Sequence, residues 1–474
     1  MAKSIVKEGF SNIQEMYDAL SEINRINSKK NKTMRAFCQV YGCQQNQADM
    51  ERIKGMLKMA GYEFTDTPEN ADIIAVNTCA VREGAEMRVL GNVGAFKKIK
   101  EKNPDLIICI CGCMMQEEQV VLKIKKSFYY VDIVFGTHNL ERFPSLLLKK
   151  LNGQKRVFEV LSESKEIPEG LPVLREDGAK AKVTIMYGCN NFCSYCIVPY
   201  TRGRERSRKP EEIIKEIKEI ANKGYKEVTL MGQNVNSYGN DFEGGEKGKN
   251  FALLLREINK IPGIERIRFI SSHPKDFSQD TIDAIAECEH ICKHIHLAMQ
   301  SGSSKILKAM NRKYDKEGFL ALCRSIKEKI PDIALTTDII VGFPGETEED
   351  FEETLDVIKK VRFDGIFSFI FSPRVGTPAS KMEDNATKEE KQAHFEKLLL
   401  VQNEITYEKT SALVGKTLKV LAEEESKEKE GYLTGHTDTF KIVHFEGDKS
   451  LIGQIVNVKI TKARTWYAVG EIVK

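Results

Sequence analysis

No apolar run in the sequence approaches the ~20 residues that cross a bilayer as a helix. The first segment, MAKSIVKEGFSNIQEMYDALSEINRINSKKNK, mixes both charges and has no apolar stretch ahead of a small-residue cleavage site. No membrane association and no secretory signal are therefore expected, and the cytoplasm is the expected compartment. An excess of one charge is missing as well. The 72 Lys and Arg stand against 69 Asp and Glu, a formal net charge of +3, so contact with a nucleic acid has to come from a local patch and not from a global field. Long low-complexity tracts and internal repeats are absent, which sets aside a repeat architecture.

What is present is the composition of a soluble globular chain, 41% hydrophobic and 30% charged over 474 residues. That length suits roughly three domains whose cores need no staple. Twelve cysteines therefore call for another explanation. With no secretory signal, disulfides are not expected, and metal or redox chemistry is.

From Met34 to Lys150 short apolar runs (MRAFCQVYG, ADIIAVNTC, LIICICG) alternate with helical patterns, the rhythm of an open parallel α/β domain. Residues 151–180 are polar, carry Pro168, Gly170, Pro172 and Gly178, and read as a linker. Between 181 and 408 six candidate strands (KVTIMYG, EVTLMGQ, RIRFISS, HIHLAMQ, ALTTDIIVG and GIFSFIFS) predict a partial (β/α)6 barrel whose working face is the loops after the strands. The segment 411–474 has short strands and no helices, which fits a small antiparallel β-barrel of the OB type. Residues 1–33 read as a polar helical extension.

Cys189, Cys193 and Cys196 form a CxxxCxxC motif just after the first barrel strand. Three thiolates on a short loop can hold three irons of a 4Fe-4S cube and leave the fourth open to a small chelating ligand. A structural zinc site wants four ligands, and no fourth Cys or His lies nearby in sequence. Cys43, Cys79 and Cys113 each close a predicted strand of the first domain. By themselves they are open to two readings, cluster ligands or buried core residues. Cys38, Cys109, Cys111 and Cys323 read as core, and Cys288 and Cys292 lack converging partners.

The segment CNNFCSYCIVPYTRGRERSRKP resembles the radical S-adenosylmethionine (SAM) loop of the methylthiotransferases, most closely the MiaB type that modifies tRNA. YGCQQNQAD, NTCAVRE, GQNVNSYG, LKAMNRKY, DIIVGFPGET and FSFIFSPRVGTPA are similar to the same family, over nearly the whole chain from Met34. The resemblance implies two 4Fe-4S clusters, a SAM-binding one on Cys189, Cys193 and Cys196 and an auxiliary one on Cys43, Cys79 and Cys113. It also makes the C-terminal barrel a TRAM domain. The implied reaction puts a methylthio group on C2 of N6-isopentenyladenosine 37 in the anticodon stem-loop of tRNA, with one SAM as methyl donor and a second as radical source. N6-threonylcarbamoyladenosine or a ribosomal-protein aspartate is the alternative substrate within that chemistry, and a non-catalytic zinc RNA-binding protein the alternative outside it. Such a reaction calls for an electron donor such as flavodoxin or ferredoxin and for a sulfur or cluster delivery protein. A monomer is the simplest assembly.

Polar and glycine residues where barrel strands end, Gly232, Gln233, Gln300, Ser301, Gly302 and Gly342, are the expected SAM contacts, with Ser271, Ser272 and His273 nearby. The basic run Arg202, Arg204, Arg206 and Arg208, interrupted by Glu205 and joined by Arg312 and Lys313, is the expected phosphate contact. From Ser411 onward ten Lys or Arg face nine Asp or Glu, a net +1, so RNA binding there would rest on arrangement and on Tyr432, Phe440 or Trp466 stacking on bases.

Overall fold

The computed structural model describes residues 5–6, 13–80, 83–164, 166–175, 178–243 and 249–473. Seven parallel strands make the first sheet: β1 (Ile5–Val6), β2 (Met34–Val40), β3 (Tyr62–Phe64), β4 (Ile73–Thr78), β5 (Ile107–Gly112), β6 (Ile133–Phe135) and β7 (Val157–Leu161). β4 and β5 are buried at every position, as strands covered by helices on both faces must be. One face is packed by Met16, Leu20 and Ile23 of helix Ile13–Ser28, by Ile53, Met56 and Leu57 of helix Gln44–Met59, and by Phe143 and Leu147. Val89, Val93, Phe96, Val121 and Ile124 pack the other.

The strand order is β1-β7-β6-β5-β4-β2-β3. From β2 the chain steps outward to β3, crosses back to β4, and then runs the other way. The order therefore reverses between β2 and β4, and a crevice opens outside the carboxyl ends of strands at such a reversal.

Two expectations change here. Residues 157–161 of the expected linker are β7, an alternation too short and too polar-flanked to read as a strand. The helix of the supposed extension shares the core of the first sheet, because its apolar side chains recur at helical spacing.

The chain divides into two compact units, Met1–Glu176 with Tyr187–Asn190 and Ile197–Arg206, and Asp177–Met186 with Asn191–Cys196 and Ser207–Lys474. In the second, the six expected barrel strands are all present and parallel: Lys180–Thr184, Glu227–Met231, Arg266–Phe269, His294–His296, Ala334–Val341 and Gly365–Ile370. They form two three-stranded sheets joined by single bridges, Ile267 to Ile291 and Ser272 to Leu297. Outward side chains such as Val228, Leu230, Ile267, Leu335 and Ile339 pack on the helices. Period 2 then turns Glu227, Thr229, Arg266, Arg268, His296, Thr336 and Asp338 to the inner face.

Five more strands close the C-terminal barrel: Thr417–Glu425, Tyr432–Thr437, Ile442–Glu446, Ile455–Ala463 and Tyr467–Ile472. The expected small barrel is present and mostly antiparallel, with one parallel pair, Ile442–Glu446 beside Tyr467–Ile472. An odd number of strands cannot close with every pair antiparallel. Within the same unit Arg266 donates to the carbonyls of His436 and Lys419, and Arg268 to those of Thr437 and Asp438. Phe440, at φ 64°, stacks on His294 and His436 with centroids 5.0 and 4.7 Å away, and the Arg268 guanidinium lies 4.9 Å from its ring.

Glu227 is the carboxylate partner of both arginines, 3.1 Å from Arg268 Nε and 3.9 Å from Arg266 Nη1, and all three side chains are buried. Glu227→Ala should therefore destabilise the second unit by about 3–5 kcal/mol, the scale for orphaning a buried charge. The check is a lower urea midpoint at unchanged slope.

Candidate active site

Cys43, Cys79 and Cys113 follow β2, β4 and β5, three adjacent strands in register. Val40 pairs with Asn77 and Thr78 with Gly112, so Cys79 and Cys113 leave the sheet side by side at the reversal point. The approach of the Cys43 loop is tight. Gly42 has φ +100°, and a Cβ there would stand 2.4 Å from Cys79 Cβ and 2.6 Å from its sulfur. Buried Asn46 ties the loops together, donating to the carbonyls of Tyr41 at 2.7 Å and Thr78 at 2.8 Å. Cys79 and Cys113 are buried and Cys43 is exposed, so the trio is open on one side. Ala80 and Ile197 pack on Cys113, and burial pushes its thiol up to about 12, against the pull of Arg202.

Arg202, 4% exposed, sends Nε to Cys113 Sγ at 3.2 Å and Nη2 to Asn46 Oδ1 at 2.7 Å and Asp49 Oδ2 at 2.8 Å. Burial opposes its charge, but Cys113, Asp49 and Cys43 outweigh burial and hold its pKa well above the usual value. Nearby His138 is buried with both ring nitrogens unpartnered. Burial, then Arg206 and Arg202, lower its pKa to about 3, so it stays neutral.

The second trio is divided between the units, Cys189 in the first and Cys193 and Cys196 in the second. In the first unit Cys189 N donates to Gly203 O at 3.1 Å. Gly188, at φ +76°, could not carry a Cβ, which would lie 2.0 Å from Arg204 O. In the second unit Ser194 is stitched on both sides, its N to Met310 O, its Oγ to Ala309 O and its carbonyl to Ala379 N. Cys193 and Cys196 close one tight turn, with Cys196 N donating to Cys193 O at 2.9 Å. Arg312, buried like Arg202, reaches Cys193 Sγ with Nη1 at 3.2 Å and the Tyr314 hydroxyl with Nε at 2.9 Å.

Around this loop the backbone is strained. Phe192, Ser271, Gln300 and Asn311 have φ of 47°, 68°, 75° and 58°, four of the six non-glycine residues with positive φ among those described. Such conformations persist where the surroundings impose them, and they cluster at ligand sites. Buried polar atoms without partners gather at the same barrel ends: Asn234 Oδ1, Ser272 Oγ, His273 Nε2 and Asn191 Nδ2. Burial, then Arg312 and Lys275, drive the His273 pKa far down, so its imidazole is neutral.

The expected SAM contacts separate. Gly232 is closed against Met186, where a Cβ would meet Cγ at 2.5 Å, and Gln233 beside it is half-buried. Gln300 bridges strands through its backbone, donating to Asp338 O and accepting from Ile340 N. Ser301 is fully buried with its Oγ 3.4 Å from Thr354 Oγ1, and Gly302 N donates to Thr354 Oγ1 at 2.9 Å, so both dock helix Glu348–Val361. Gly342 N donates to Glu346, whose carboxyl burial pushes up to about 7.

The arginines of the basic run differ in exposure and in partners. Arg202 is enclosed as described. Arg208 is buried on Thr184 O and Glu216, both at 2.7 Å. Arg206 turns to the carbonyls of Ser164 and Glu166, and Arg204 is exposed. Arg312 is interior, whereas Lys313 is exposed. Of the three aromatics, Trp466 is exposed, Tyr432 lies under Lys429, and Phe440 is turned to the barrel strands. Sequence reasoning missed Asn46, Asp49 and Arg312 as neighbours of the thiols. Asn46 and Asp49 stand three and six residues after Cys43 on one helix, and that spacing was their only signal.

All-sulfur donor sets of this kind suit iron-sulfur clusters. Among the described residues no three Cys, His, Asp or Glu side chains converge as a single metal ion requires. A four-iron cube is wider than an ion, and thiols standing further apart can reach it.

Residues 183–358 match the Radical SAM superfamily, 35–136 the Uncharacterized protein family UPF0004, and 411–473 the TRAM domain. A tRNA-2-methylthio-N(6)-dimethylallyladenosine synthase of Acetivibrio thermocellus is 51% identical over 462 residues, 97% of this chain and 96% of its own. Its counterpart in Thermoanaerobacter pseudethanolicus is 54% identical over 445 residues, 94% of each chain. Among solved structures, the radical S-adenosylmethionine methyltransferase TsrM from Kitasatospora setae shares the fold at TM-score 0.53 and 13% identity, over 74% of this chain and 77% of its own.

In reduced, metal-free protein the burial pattern predicts that a maleimide labels Cys43 well before Cys79 and Cys113, whose labelling should require unfolding. Peptide mass spectrometry over a labelling time course reads this directly.

Proposed function

The chain belongs to the family of tRNA-2-methylthio-N(6)-dimethylallyladenosine synthases, and from that membership we propose how its own residues divide the work. It is a radical SAM tRNA methylthiotransferase, which adds a methylthio group to C2 of N6-isopentenyladenosine 37 and uses SAM and 4Fe-4S clusters. Cys189, Cys193 and Cys196 would hold the cluster that binds SAM, and Cys43, Cys79 and Cys113 the auxiliary one. The observation that carries the second assignment is the exit of three thiols from three adjacent parallel strands at the reversal of strand order. When bound, these groups supply one-electron cleavage of SAM and a source of sulfur, chemistry that an aromatic C–H with no useful acidity requires.

The protein's part is positioning and exclusion of water. Asn46 and Gly42 fix the loops of one trio, and Ser194 and Asn311 fix the loop of the other. Asn311 Nδ2 donates to Phe192 O at 2.9 Å. The unpartnered Asn234, Ser272 and His273 atoms, with Gln233, Gln300 and Gly342 beside them, would contact SAM or the adenosine, since a buried polar atom without a partner costs about 1–3 kcal/mol until something fills it. Gly232 would let the backbone come close, and Ser301 and Gly302 would act by holding the Gln300 loop. Arg204, Lys313 and Trp466 are the exposed candidates for the tRNA backbone and bases.

Residues 34–150, 181–408 and 411–474 would serve as the auxiliary-cluster domain, the radical SAM barrel and the TRAM domain. Among the described residues no helix is long and apolar enough to cross a membrane. A cytoplasmic monomer, served by a flavodoxin or ferredoxin and by a sulfur or cluster delivery protein, completes the reading.

Anaerobically purified protein should carry about eight irons per chain, falling to about four in a Cys189→Ala/Cys193→Ala/Cys196→Ala variant and likewise in Cys43→Ala/Cys79→Ala/Cys113→Ala. Either triple variant should abolish the methylthio product, read by mass spectrometry of digested tRNA. Zinc in place of iron after anaerobic reconstitution would sink the cluster assignment. A mass increment on a threonylcarbamoyl nucleoside, or on a protein aspartate, would move the substrate to the neighbouring branches.

A further inference from the structure

We propose that Arg202 is a positioning residue of the auxiliary site, holding the Cys113 sulfur and raising the reduction potential of the cluster that Cys43, Cys79 and Cys113 would ligate. The inference rests on the reading of those cysteines as cluster ligands. It starts from a residue whose sequence context points elsewhere, since Arg202 belongs to a basic run that resembles a phosphate contact. Its guanidinium is enclosed, with Nε 3.2 Å from Cys113 Sγ and Nη2 on Asn46 and Asp49.

A guanidinium keeps its charge in a protein, and burying it is costly unless anions compensate. Asp49 is such an anion, but it also lies 3.6 Å from the Arg52 guanidinium, so one carboxylate faces two cations. The Cys113 sulfur is what Arg202 meets on its other side. Ala80 and Ile197 pack on that sulfur, which also donates to Asn46 Oδ1 at 3.8 Å, and in so buried a place a charge about 3 Å away acts with little screening. Arg202 also follows Cys196 by six residues, so the segment that carries one thiol trio supplies the cation of the other.

The sign of the effect follows from electrostatics. Reduction adds one electron and makes a cluster more negative, which a neighbouring cation favours and a neighbouring anion opposes. Hydrogen bonds to ligand sulfur and local net charge are the protein's levers on cluster potential. Removing the Arg202 charge lowers the potential, and removing the Asp49 charge raises it. If Arg202 served only to fasten the segment Ile197–Arg206, replacing it would leave the potential of a cluster that remains in place unmoved.

The test uses the full chain with Cys189→Ala, Cys193→Ala and Cys196→Ala, reconstituted anaerobically with iron and sulfide. The reduced cluster is followed by electron paramagnetic resonance in a potentiometric titration. Arg202→Gln should shift the midpoint downward, Arg202→Lys should recover part of the shift, and Asp49→Asn should shift it upward. Iron is counted first: a parent that binds far fewer than about four irons overturns the ligand assignment itself. About four irons with an unmoved midpoint in Arg202→Gln overturns the role of Arg202 alone. If Arg202→Gln loses its iron or does not fold, Asp49→Asn, which keeps the guanidinium, decides by its sign: a fall or no change overturns the proposal.

Discussion

Parallel strands release their chain at one edge, and the cysteine-bearing loops of both units depend on that constraint. Cys43, Cys79 and Cys113 are separated by more than thirty residues at each step, yet β2, β4 and β5 bring them to neighbouring exits. Adjacent strands lie ~4.8 Å apart, so residues one step beyond paired positions have no room to disperse. The register matters as much as the order, because a slip of one residue turns every side chain to the other face. In the second unit the same rule gathers Gln233, Ser272, Gln300 and Gly342 at one end of six strands. The gathering of these residues in both units is thus a consequence of crossover connections, which here run through helices on the sheet faces.

Charge compensation is the second demand, and the chain meets it in two ways. Glu227 with Arg266 and Arg268 is an ordinary buried ion cluster, closed further by four backbone carbonyls. Arg202 and Arg312 are different, because each points a guanidinium at a cysteine sulfur. Burial disfavours a guanidinium by several kcal/mol, while a charge-assisted hydrogen bond returns about 1.5–3 kcal/mol. Sites that hold such residues are therefore stabilised most when the sulfur is anionic. Were those sulfurs to ligate a cluster, folding and ligation would be coupled through the same contacts.

Much of this was legible in the residues. The six barrel strands could be read because each is a β-branched or aromatic run ending in glycine or polar residues, and the thiol trios because cysteines stand where such runs end. β3, β6 and β7 escaped because three to five residues carry too little periodicity to separate a strand from a loop. The burial of Arg202 and Arg208 was hidden for another reason. A run of like charge reads as a solvated face unless its counter-ions are visible, and Asp49 lies 153 residues from Arg202 along the chain. The helix of Ile13–Ser28 looked like an appendage because its apolar stripe is narrow, and its partner Phe143 is far away in sequence.

Phe440 gives the C-terminal barrel a standing that its sequence does not suggest. Seated on His294 under the Arg268 guanidinium, with Arg266 anchored on His436 and Lys419, it floors the larger barrel at the end opposite the reactive loops. A domain attached in that way cannot swing as a tethered arm and sample the substrate separately. It would serve as a fixed gauge: a nucleic acid gripped there would meet the larger barrel at a set distance and angle, and discrimination between substrates would become a matter of length as well as of chemistry.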